Sequence, residues 1–151
     1  MNGDVISDAE VFARLPNLRI DRDNIEHYRG LLAGRLLINR CQRCGYWIYP
    51  HRPLCPECLS WEVVPTEVSG RGKLFMFTLI HQSRDPRVRL EEPMPVAAVE
   101  LVERPGLRYL SSIVGCPLHK LRHDMPLQLT WIEQDGIKVP AFAPADGGVG
   151  A

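Results

Sequence analysis

The sequence predicts a mainly β chain: an N-terminal helix, a small metal-held ribbon, then a barrel of about five strands. Three observations predict it. Two Cys-x-x-Cys pairs, Cys41/Cys44 and Cys55/Cys58, lie ten residues apart. From residue 63 onward, short runs rich in Val, Ile, Leu and Phe alternate with turn signals. Thirteen prolines and twelve glycines in 151 residues leave little room for long helices.

Taken in order, residues 1–22 have mixed polarity and no clean period, which predicts a loose arm. Residues 23–36 then read as a helix. Asp23 with Glu26 forms a candidate capping box. Ile25, Tyr28, Leu31, Leu32 and Leu36 recur at helical spacing, and Gly34 supplies the stop. The plain reading packs that apolar face against its own domain. The sharper one offers Ile25, Tyr28 and Leu32 to a partner. Residues 37–62 form the ribbon. Residues 63–145 carry the strand runs EVVPTEV, KLFMFTLIHQ, MPVAAVELVE, LRYLSSIVG, PLQLTWIEQ and IKVPAFAPA. Asp135-Gly136 between the last two is a hairpin signal, and 117–124 is a short irregular or helical connection. The small, Gly-rich tail at 146–151 is expected to fray.

The cysteine pairs carry the clearest chemistry. A Cys-x-x-Cys turn aims two sulfurs at one point, and Gly45 after Cys44 supplies the permissive backbone such a turn uses. Two facing turns make a tetrahedral S₄ cage that suits Zn²⁺ and also iron. Four protein ligands close the shell, so the site is structural rather than catalytic. Two disulfides or free core thiols are the alternative reading. A one-iron electron-transfer centre is another, with the colour of the purified protein as its test. His51 lies between the pairs and is expected at the surface or behind the ligands. Arg40, Arg43 and Arg52 stand close in sequence to the cage and are placed to offset its charge.

Composition limits the function classes. Lys plus Arg equals Asp plus Glu at 18 each, and a tetrathiolate zinc adds about −2. Such a chain has no global electrostatic reason to seek nucleic acid or an anionic membrane. The start places acidic residues where a secretory signal carries basic ones. No apolar run approaches the roughly 20 residues that span a bilayer. These features predict a cytoplasmic protein in a reducing compartment, where paired cysteines hold metal.

Catalytic signals are sparse. Cys116 beside Pro117 reads as a small buried hydrophobe, although His119 and His123 stand near it in sequence. No phosphate-loop, dinucleotide-binding or Ser-elbow pattern occurs. Basic clusters at Arg71/Lys73, at Arg84/Arg87/Arg89 and at His119/Lys120/Arg122/His123 are solvated surface or, locally, holders of a nucleotide-like phosphate.

The order of motifs adds a resemblance. A helix leads into Cys-x-x-Cys-Gly and then Tyr49-Pro50-His51-Arg52. Cys-Pro-x-Cys follows, then Ser69-Gly70-Arg71-Gly72-Lys73-Leu74 running into Phe77-Thr78. Next are Pro95-Val96-Ala97-Ala98-Val99-Glu100-Leu101 and Pro140-Ala141-Phe142-Ala143-Pro144. Over residues 25–144 this resembles the domain of unknown function thirty-five family, whose members join a rubredoxin-like zinc ribbon to an OB-fold. The charged loop at 83–93, and Met94-Pro95-Val96 where an aromatic often follows the proline, depart from that pattern.

The resemblance implies an acyl-CoA setting. Such proteins look like non-catalytic small subunits of thiolase-superfamily enzymes, including lipid-transfer-type thiolases and retro-aldolases acting on CoA thioesters, as in lipid or steroid side-chain degradation. Structural zinc, acyl-CoA as a possible ligand and a thiolase-like partner subunit are thus expected. Arg52, Arg71, Lys73, Arg84, Arg87, Lys120 and Arg122 become the candidates for CoA phosphates. The main rival is a single-stranded nucleic-acid module using Phe75, Phe77, Tyr109 and Trp131 as stacking platforms. Zero net charge, and aromatics that alternate into core positions, stand against it.

Overall fold

The computed structural model describes residues 5–145. They fall into two compact units, 5–68 with 132–139 and 69–131 with 140–145. The tail expected to fray, 146–151, and the first four residues of the arm lie outside the described residues.

The first unit opens with a correction. The stretch expected to be loose contains helix α1, Asp8–Arg14. Ser7 caps it by accepting from the Glu10 amide at 3.2 Å, and Val11 is fully buried. Helix α2 spans Ile25–Leu32, shorter than the expected 23–36. Its entry is not the predicted capping box. Asp21 Oδ1 accepts from the amides of Asp23 and Asn24 at 2.9 and 3.2 Å, and Asn24 Oδ1 accepts from the Asp21 amide at 2.8 Å. Glu26 instead accepts from Arg29 at 2.9 Å. Arg29 also donates to Asp8 and to the Ile6 carbonyl, which ties α1 to α2.

Three antiparallel strands follow in this unit: β1 Leu37–Cys41, β2 Trp47–Ile48 and β3 Val63–Glu67, in the order β2-β1-β3. Residue 63, where the barrel was expected to begin, instead starts β3, which pairs along the whole of β1 from Cys41↔Val63 to Leu37↔Glu67. The unit's core gathers Leu32, Leu36, Ile38, Trp47 and Ile48.

The second sheet holds five strands: β4 Arg71–Ile80, β5 Met94–Leu101, β6 Arg108–Ser112, β7 Pro126–Gln134 and β8 Ile137–Pro144. Their order is β6-β5-β4-β7-β8. A parallel bridge Ile113↔Phe142, with the Val114 amide donating to the Phe142 carbonyl at 2.9 Å, nearly closes the sheet into an OB-like barrel. The connection at 117–124 holds one 3₁₀ turn, Leu118–Lys120. The Asp135-Gly136 hairpin forms where the sequence placed it, with φ of 51° and 77°. Inward residues Leu74, Val99, Tyr109, Leu127 and Phe142 are all at most 5% exposed.

The Ser-Gly-x-Gly motif has a steric reason. At Gly70, φ is +79° and a Cβ would meet the Leu129 Cβ at 2.6 Å. At Gly72 it would lie 2.7 Å from the Glu100 carbonyl oxygen. Both glycines let β4 press against neighbouring strands.

Candidate metal centre

Two knuckles build the centre. Cys41 closes β1 and starts the first; Cys55 starts the second. Each has the same backbone bonding. In the first, the Gly45 amide donates to the Cys41 carbonyl at 2.9 Å and the Cys41 amide to the Tyr46 carbonyl at 2.8 Å. In the second, the Leu59 amide donates to the Cys55 carbonyl and the Cys55 amide to the Ser60 carbonyl, both at 3.0 Å.

The four sulfurs converge. Cys41 and Cys58 Sγ are 3.6 Å apart, as are Cys44 and Cys55 Sγ, and all four lie within 4.8 Å of one another. A disulfide needs about 2.05 Å, so none is formed. A tetrahedron of sulfurs about 2.3 Å from a central Zn²⁺ has edges of about 3.8 Å. The donor set and its spacing therefore fit zinc.

The electrostatics fit as well. The Cys44 amide donates to Cys41 Sγ at 3.5 Å and draws that thiol down to about 6, against burial. Cys44 moves up to about 12: the Tyr46 amide lowers it, but desolvation and the thiols of Cys55, Cys58 and Cys41 outweigh that. Four thiolates cannot share this space without a cation between them. Binding zinc releases the remaining protons, so affinity falls with acidity. Arg40 donates to the Gly45 carbonyl at 3.2 Å and lies over Trp47, 4.9 Å from the ring centre.

His51 is not in the cage. Its ring stands 4.7 Å from His27 and 5.4 Å from Tyr49, with Nε2 3.4 Å from the Leu37 carbonyl oxygen. These rings, with Asp21, Tyr28 and Arg52, line a polar cavity of about 290 Å³. His27 is 7% exposed, and burial, then the neighbouring His51, pushes its pKa down to about 3. Burial also lowers His51, opposed by the Leu37 carbonyl and Asp21. The histidine pair escaped sequence reasoning because His27 interrupts the apolar spacing of α2 as a polar residue would on a solvated face.

The candidate phosphate holders are dispersed. Arg52 is exposed at the cavity just described. Arg71, Arg84 and Arg122 are exposed and Lys120 is half-buried. Lys73 sits 3.8 Å from Glu100 and 3.5 Å from Asp124, beside a cavity of about 350 Å³ that includes Val102 and Pro126. Arg87 is held by Asp85 at 2.7 Å, which keeps that carboxyl below the usual range. Of the partner-facing candidates, Leu32 is buried in its own unit while Ile25 and Tyr28 are half-buried. Tyr109, offered as a base-stacking platform, is core, and Arg108 covers Phe75 at 3.6 Å. Cys116 is half-buried, with its Sγ 3.6 Å from the Pro117 carbonyl oxygen. Among the described residues no helix is long and apolar enough to cross a membrane.

Comparison with known proteins agrees with this architecture. Residues 29–63 match the family model "ChsH2, rubredoxin-like zinc ribbon domain", and residues 65–131 match "ChsH2, C-terminal OB-fold domain". A solved chain of the "Ltp2-ChsH2(DUF35) aldolase" superposes with a TM-score of 0.76 at 32% identity, covering 85% of this chain and 99% of that one. A "DUF35 domain-containing scaffold protein" of Pyrococcus furiosus is 36% identical over 97 residues, 63% of this chain and 67% of its own length. A "Probable enoyl-CoA hydratase alpha subunit" of Thermomonospora curvata is 34% identical over 131 residues. That match takes in 86% of this chain but only 40% of the relative. With one S₄ cage in the ribbon and a nearly closed five-stranded barrel after it, the chain belongs to the DUF35 family, on the ChsH2 pattern of a zinc ribbon followed by an OB-fold.

Proposed function

We propose that this chain is a non-catalytic auxiliary subunit of an acyl-CoA enzyme whose reacting groups sit on a thiolase-superfamily partner. The reaction is retro-aldol or Claisen-type cleavage or formation of a carbon–carbon bond next to a CoA thioester, as in lipid or steroid side-chain breakdown. The observation that carries this is the match to nearly the whole ChsH2-type chain of an aldolase that has a second component, Ltp2. The closed four-cysteine shell supports it, because a zinc with four protein ligands has no position left for a substrate or water. The exposed Arg52, Arg71, Arg84 and Arg122, the half-buried Lys120, and the carboxylate-paired Lys73 and Arg87 remain the candidates for contacts with CoA phosphates.

Co-expression with the Ltp2-type protein of the same organism tests the reading. A stable complex that co-elutes in size-exclusion chromatography and binds acyl-CoA supports it. Two proteins that elute separately at micromolar concentration contradict it. A second reading, service to an acyl-CoA hydratase, has the Thermomonospora curvata relative in its favour. Hydration of an enoyl-CoA by the assembled complex, with no carbon–carbon cleavage, would select it.

A further inference from the structure

The polar cavity of about 290 Å³ lies wholly within the first unit, and none of its walls is a cysteine of the cage. Two short segments build it. The turn before α2 and α2 itself bring Asp21, His27 and Tyr28; the chain at and after the end of β2 brings Tyr49, His51 and Arg52. The rings brace one another. His27 stands edge-on to Tyr28 with centroids 4.9 Å apart, and Tyr49 stands edge-on to His51 at 5.4 Å. The two histidines meet at 4.7 Å. Arg52 is exposed, yet its backbone is pinned: the side-chain amide of buried Asn39 donates to its carbonyl at 3.2 Å.

These groups offer three different chemistries. Burial keeps both imidazoles neutral, so each ring has one donor and one acceptor. The Leu37 carbonyl can only accept, so Nε2 of His51 carries the proton and Nδ1 holds the lone pair. Asp21 commits Oδ1 to the amides of Asp23 and Asn24, and Oδ2 takes no hydrogen bond among the described residues. Arg52 adds a guanidinium.

Simpler occupants fit this set poorly. An acyl chain would leave the polar walls without partners. A bare phosphate would face a carboxylate and two uncharged histidines with only Arg52 in its favour. Among the described residues the four cysteines are the only group of three or more metal-binding side chains, so the histidine pair is not a metal site. A nucleoside phosphate matches every group. Its flat base, with donors and acceptors along one edge, suits neutral imidazoles among tyrosine rings. Its ribose hydroxyls suit a carboxylate, and its phosphate suits a guanidinium. The volume of about 290 Å³ is at the small end of ligand pockets, roughly 300–1,000 Å³, which suits one base and its sugar.

We infer that this cavity is a nucleotide site, with the base among His27, Tyr28, Tyr49 and His51, the ribose on Asp21 and the phosphate on Arg52. The same chemistry is carried by a free adenine nucleotide and by the nucleotide end of CoA. The inference goes beyond the auxiliary-subunit reading and does not depend on it.

The test is titration of the full zinc-loaded chain with AMP, CoA, adenosine and inorganic phosphate, by calorimetry and by NMR of the histidine rings. AMP is expected to bind and to shift the ring signals of His27 and His51, and inorganic phosphate at equal concentration to shift neither. Arg52→Gln, at an exposed position, is expected to weaken AMP about tenfold or more and to leave adenosine unchanged. Asp21→Asn keeps the oxygen that accepts from the turn amides; it is expected to weaken AMP but not dideoxy-AMP. Tighter binding of CoA than of AMP upholds the inference and assigns the site to CoA; equal or weaker binding upholds it and assigns the site to a free nucleotide. Three results overturn it: no binding of AMP or CoA at millimolar concentration, binding that leaves both histidine rings unmoved, or binding that phosphate alone matches. Each of these leaves the auxiliary-subunit reading standing, because that reading is tested by complex formation with the partner.

Discussion

Gly72 and His27 show how much rests on single side chains. A methyl at Gly72 would sit 2.7 Å from the Glu100 carbonyl oxygen and 2.8 Å from Val99, both on the neighbouring strand β5. Backbone cannot yield as a flexible side chain can. Gly72→Ala is therefore expected to destabilise the barrel by about 1–3 kcal/mol in chemical denaturation. His27 contributes through its protonation. Its pKa lies near 3 in the fold, held there first by burial and then by His51, against 6.5 as the ordinary value. A depressed histidine adds stability that is complete above pH 6.5 and drains away as pH falls toward 3. By pH 4 about 3 kcal/mol of it is lost. Zinc release also weakens the unit in acid, so the informative quantity is the difference between wild type and His27→Phe, which should widen in the variant's favour below pH 6. A constant difference would show that His27 is not buried in its neutral form. At this scale the four cysteines were legible because metal geometry imposes a spacing. His27 was not, because burial leaves no mark in a single sequence.

Among elements, those with hard local rules were legible. The Asp135-Gly136 hairpin and both Cys-x-x-Cys turns stand where the sequence put them. Helix α1 was missed although its signal was present: Ser7 followed by Glu10 three residues later is a capping pattern. Seven residues with one buried side chain are too few to show a period. What holds α1 is remote in sequence, since Arg29 of α2 bonds Asp8 and the Ile6 carbonyl. Arg29→Ala should free α1, raising amide exchange over 8–14 while leaving the barrel's exchange unchanged. Where β3 pairs was not legible for a similar reason. β3 reads as β-prone wherever it pairs, and only the structure shows it beside β1. The knuckles are the element on which the ribbon depends. Cys55 is fully buried and shares the cage with Cys44 at 3.6 Å. Cys55→Ser should reduce bound zinc well below one equivalent and unfold the ribbon, and a strong chelator should do the same to the wild type.

For the whole molecule, the sequence conveyed a metal ribbon followed by a small barrel, and the resemblance supplied the family. What neither conveyed was where the functional surface lies. The seven cations singled out for phosphates share no motif, and two of them, Lys73 and Arg87, spend their charge on carboxylates of this chain. Partner surfaces are set by what they meet, and one sequence records only one side. The central claim is that this chain supports chemistry housed in another polypeptide. Steady-state carbon–carbon cleavage of a 3-hydroxyacyl-CoA (retro-aldol), or of a 3-oxoacyl-CoA with CoA as acceptor (retro-Claisen), tests it most directly, measured for the zinc-loaded chain, the Ltp2-type protein and the two together. The chain alone should be inactive, and the mixture should exceed the partner alone by at least about tenfold at saturating subunit. Full turnover by the chain in isolation, or a partner whose rate is unchanged by adding it, would contradict the account.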